Sequence, residues 1–161
     1  MIFLPTSKGI DMVRFLLSIV LALASISAFA QLHAGGEYNS TYANIGIKGY
    51  DPVAYFKAGK AVKGNERFSA DHGGVSWHFS SAENRDAFKA QPARYAPQYG
   101  GFCSWGVAEK GRLFDVDPEN GWTIHEGKLY LNFNADLNKT FQRKPASFIQ
   151  AADRKWPDLN R

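Results

Sequence analysis

Few side chains in this chain can bind a soft metal or act as a nucleophile. Cys103 is the sole cysteine, and both methionines, Met1 and Met12, stand near the N-terminus. Cys103 follows Gly100-Gly101 at the predicted start of a short helix. Free first-turn amides and the positive end of the helix dipole favour the thiolate there. The alternative is a small buried hydrophobe, because free cysteine is among the most buried residue types. Imidazole is the usual companion ligand. His72 lies in a glycine turn, His78 on the polar face of a predicted strand and His125 beside a hairpin turn. No two have local ligand spacing, so a site of Cys103, His72, His78 and His125 has to be assembled by the fold. Such a set suits copper as Cu(I), with zinc as the alternative. The expectation is a non-catalytic, copper-binding protein.

Other constellations are weaker. A Cys103–histidine pair oriented by an aspartate would be a nucleophilic centre. The chain has no G-x-S-x-G elbow or papain-type cysteine context, and no P-loop, G-x-G-x-x-G or C-x-x-C-H run. We expect no enzyme. Asp51, Asp115, Asp117 and Glu119 fall in predicted loops, and Phe114–Glu119 lacks the EF-hand pattern, so a solvated turn is the better reading. Tyr50, Tyr55, Tyr95, Tyr99, Phe102 and Trp105 cluster near glycines. Core packing accounts for them; an apolar pocket is the other possibility, making the chain a small-ligand or protein-interaction module. The 19 basic and 15 acidic residues give a formal charge of +4, but without the focused stripe of a nucleic-acid binder.

The N-terminus carries a different message. Arg14 precedes a charge-free block, Phe15 to Ala30, and Ala28-Phe29-Ala30 ends it with the small residues a signal peptidase reads. Residues 1–30 therefore read as a cleavable secretory signal, with Met12 as a second possible start. The apolar block falls short of the ~20 residues of a spanning helix. A periplasmic or secreted protein without stable membrane insertion is expected. Cleavage would leave His33 third in the mature chain, where amine, amides and imidazole can chelate Cu(II) in a square plane. One cysteine cannot form an internal disulfide, so packing must hold the domain.

Residues 31–42 read as a loose leader, and residues 43–160 as one α+β domain. Two β-hairpins are expected to form a small antiparallel sheet packed with short helices. Arg67–Ala70 and Val75–Phe79 make the first hairpin, with Val75, Trp77 and Phe79 facing the core. Trp122–Ile124 and Leu129–Phe133 make the second around Glu126-Gly127. There Trp122, Ile124, Leu129, Leu131 and Phe133 share one face. Ser80 and Glu83 form a predicted capping box, with Phe88 packing inward. Phe102 to Glu109 and Ala135–Gln142 are short helices. Pro145–Trp156 closes the chain with a stripe of Phe148, Ile149, Ala152 and Trp156.

The segments GYDPVAYF (Gly49–Phe56), WHFSSAENRDAF (Trp77–Phe88), YAPQYGGFCSWG (Tyr95–Gly106) and WTIHEGKLYLN (Trp122–Asn132), with the closing IQAADRKWPDL, resemble the longer, exported form of the YHS domain family. The resemblance covers most of residues 43–160. It implies a compact fold related to short modules of heavy-metal transporters, whose D-P-V-C and F-C-S-x-x-C motifs supply the expected thiolate ligands. Ala54, Ser80 and Asn84 stand at those three cysteine positions here. Alanine cannot ligate, and serine and asparagine are poor ligands for soft metals. Any metal must use other residues.

Overall fold

Two tight turns organise the strands. In the computed structural model β1 (Asn65–His72) and β2 (Val75–Phe79) pair antiparallel across Gly73-Gly74, whose φ angles of 59° and 77° are left-handed. That pair matches the twist of the flanking strands without a Cβ penalty. The turn is tighter than expected, since Asp71 and His72 belong to β1. Strands β3 (Trp122–His125) and β4 (Lys128–Leu131) close around Glu126-Gly127 in the same way. The structure describes residues 38–41 and 43–161, all within one unit, Gly35–Arg161. The expected signal, most of the leader and His33 lie outside the described residues.

The class is α+β, and the hairpins form two separate two-stranded sheets. One edge of each sheet carries a single further bridge. Ile45 bridges to Ser76 on β2, and Cys103 bridges to Leu131 on β4.

The helices are α1 (Ala54–Lys57), α2 (Ala82–Ala90), α3 (Pro92–Tyr95), α4 (Ser104–Lys110), α5 (Ala135–Arg143) and α6 (Pro145–Leu159). Among the described residues no helix is long and apolar enough to cross a membrane. The cap of α2 sits one residue later than the sequence suggests. Ser81, not Ser80, accepts from the Asn84 amide at 3.2 Å, because the Ser80 hydroxyl is engaged elsewhere.

Alternation in β2 buries Val75, Trp77 and Phe79 as expected. Phe88 of α2 lies 5.4 Å from the Trp77 ring and 5.2 Å from Phe79. Leu129 and Leu131 join the same core. The opposite face of the second hairpin is covered too. Tyr130 is buried against Tyr99 and Phe141, in a second cluster closed by Ala152 and the expected stripe of α6. Tyr38 to Thr41, expected in the leader, is tied to the domain. The Asn39 amide donates to Gly100 O at 2.7 Å, and the Tyr38 ring meets Trp77 edge-on at 5.1 Å.

Candidate functional site

Cys103 is the N-cap residue of α4 and only 1% exposed. Its Sγ accepts from Gly106 N at 3.4 Å and Phe133 N at 3.3 Å, and stands 3.9 Å from Asn132 Oδ1. Burial pushes the thiol above its ordinary value of 9.0, outweighing the amides that pull it down. The expected thiolate is therefore not favoured: desolvation penalises the charged form more than the amides repay. Among the described residues the sulfur's hydrogen-bond partners are backbone amides and Asn132, with no histidine base among them.

The histidines stand in other places. His72 ends β1, its ring edge-on to Phe88 at 5.7 Å. His78 lies mid-β2, opposite Ser69. His125 ends β3, 3.9 Å from Glu126 Oε1. Among the described residues no three His, Cys, Asp or Glu side chains gather as a metal-holding group.

A different cluster does assemble. Asp51 is 0% exposed, not the solvated loop residue its position suggests. Its Oδ1 accepts from Val53 N (2.8 Å) and Ala54 N (3.2 Å). Its Oδ2 accepts from Ser80 N (2.8 Å), Ser80 Oγ (2.6 Å) and Asn84 Nδ2 (2.7 Å). Ala54 and the distant pair Ser80 and Asn84 thus meet at one carboxylate. Neither this cluster nor the Cys103 surroundings fits a soft metal. One offers hard oxygens already engaged by donors, the other a single buried sulfur.

The remaining acidic residues behave as loop residues. Asp115 pairs with Lys48 at 2.7 Å, and Asp117 accepts from Glu119 N and Asn120 N. The aromatic cluster divides. Tyr55 is core, its hydroxyl donating to Pro118 O at 2.7 Å. Tyr99 is buried in the second cluster and donates to Asp153 at 2.9 Å. Tyr50 points to Glu119.

Of that cluster only Trp105 contributes to the apolar groove above Cys103. Phe114, Phe133, Leu137 and Lys110 complete the lining, around about 290 Å³. Phe133 is 51% exposed and Phe114 38%. Gly106 makes room for one wall, since a Cβ there would stand 2.4 Å from Phe114 Cδ2. Phe133 does not continue the buried face of β4. The strand ends at Leu131, and the buried Asn132 side chain ties the turn by accepting from Trp105 N (3.1 Å) and donating to Asn138 Oδ1 (3.0 Å). Sequence reading missed this groove. Its one signal is Leu113-Phe114, an apolar pair among polar residues. No family model, curated protein or solved structure matches this chain.

Proposed function

We propose that the chain is an exported, YHS-like domain that binds a small apolar molecule in the groove above Cys103 and performs no chemistry on it. The observation that carries the binding site is the groove itself. Phe114 and Phe133 stand substantially open to water beside Trp105 and Leu137, over a buried floor. Covering the open part of each phenyl group is worth on the order of 1 kcal/mol, which a bound ligand recovers. A volume near 300 Å³ is the lower end for small-molecule sites. The YHS reading is supported by the meeting of Ala54, Ser80 and Asn84 at Asp51, the arrangement expected of three former ligand positions. Export is supported by Arg14, the apolar block and Ala28-Phe29-Ala30. A buried Cys103 whose ionisation is opposed by desolvation, with backbone amides and Asn132 as its hydrogen-bond partners, supports a non-catalytic role.

Calorimetric titration of the purified protein with a naphthalene derivative tests this. Binding should weaken severalfold in Phe133→Ser and Leu137→Ser, and no binding by wild type would refute it. Parallel titrations with Cu(I) under reducing conditions and with Zn(II) address the metal expectation. Binding tighter than micromolar, abolished in Cys103→Ser, would replace the groove reading with the metal one.

A further inference from the structure

We infer that the ligand of this groove is an amphipathic organic anion, a flat apolar body carrying a carboxylate that Lys110 receives; this rests on the groove reading above. Among the described residues Lys110 is the only charged one in the lining. Its Nζ lies 5.5 Å from the Trp105 ring centroid, so the ammonium is held at the apolar rim. Among the described residues Lys110 forms no ion pair with a carboxylate. A lysine in the last turn of α4 also complements the helix dipole, but that service needs no aromatic groove beside it. Charge pairing strengthens where low-dielectric walls displace water, and an anion there completes what the ring face only partly supplies. Trp105, Phe114 and Phe133 offer three rings to a planar body, with the polar end directed to the single cation. A cationic ligand would be repelled by Lys110.

The test compares naphthoate with naphthamide, which share the ring and differ in charge, by calorimetry at low salt. Wild type should prefer naphthoate about two- to fivefold, the size of an ion pair at an exposed lysine. That preference should shrink as salt rises. Lys110→Met should lose the preference for naphthoate. Lys110→Arg should retain the preference, which separates charge from damage to the fold. Equal binding of the two probes by wild type overturns the anion inference while the groove reading stands. Binding of neither overturns the groove reading itself. A wild-type dimer that Phe133→Asp converts to monomer assigns the groove to a second copy of the chain and overturns the inference.

Discussion

Replacing Asp51 with asparagine swaps one carboxylate oxygen for an NH₂ group at nearly constant volume, and so separates hydrogen bonding from packing. The native carboxylate receives five donors, two at Oδ1 and three at Oδ2. An amide accepts at one position only. If its oxygen stays with Val53 N and Ala54 N, its NH₂ confronts Ser80 N. The Ser80 hydroxyl can rotate and the Asn84 amide can flip, but the Ser80 backbone cannot. If the amide turns over, Val53 N and Ala54 N lose their side-chain acceptor. Either way at least one backbone amide loses this acceptor in a buried site, at about 1–3 kcal/mol. The bonds that survive lose their charge assistance, and such bonds are roughly twice as strong as neutral ones. Together the loss should be about 3–5 kcal/mol, against total stabilities of ~5–15 kcal/mol. Ser80→Ala, which removes one donor and leaves the others in place, should cost only about 1–2 kcal/mol. Urea denaturation followed by tryptophan fluorescence and far-ultraviolet dichroism measures both, with an unchanged slope showing that the denatured state is the same. A loss below about 1 kcal/mol for Asp51→Asn would place the carboxylate in solvent and refute the buried hub.

Three further outcomes follow from the same structure. Phe88, 1% exposed between Trp77 and Phe79, should cost ~3–5 kcal/mol when truncated to alanine in a chemical melt; less than about 1 kcal/mol would break the orientation of α2. Because burial raises the Cys103 thiol above 9.0, the unfolded chain ionises there first, and stability should fall as pH climbs above that value. Tyr130, pushed up from 10.0 to about 12, adds the same trend at higher pH. Denaturation midpoints that stay level between about pH 8.5 and 10 in wild type, or fall equally in Cys103→Ala, would refute the thiol's part. Finally, intact mass of exported protein should show loss of residues 1–30, and a full-length membrane species would sink the signal reading.

Much of this fold is written locally. Gly73-Gly74 and Glu126-Gly127 prescribe left-handed turns, and a side-chain period of two then places Trp77 beside Phe79 and Leu129 beside Ile124. The stripe of α6 follows from its helical spacing in the same way. Period alone does not say where a face stops being covered. Phe133 has the parity of Leu129 and Leu131, but β4 has ended before it, and Asn132 turns the chain so that the ring meets water. The capping box failed for a related reason. Ser80 is as good a cap as Ser81 by residue type, but a carboxylate 29 positions upstream claims its hydroxyl.

From residue type and spacing alone came the hairpins, the helix stripes, the inward Phe88 and the α+β class, because each rests on neighbours within a few positions. Only the tertiary structure decided that Asp51 is buried, that Ala54, Ser80 and Asn84 converge on it, and that Cys103 Sγ meets backbone amides and Asn132. It alone set Lys110 beside the rings of Trp105, Phe114 and Phe133. These depend on which distant backbone lies within about 3–4 Å of a given side chain, a distance that only the packed core sets.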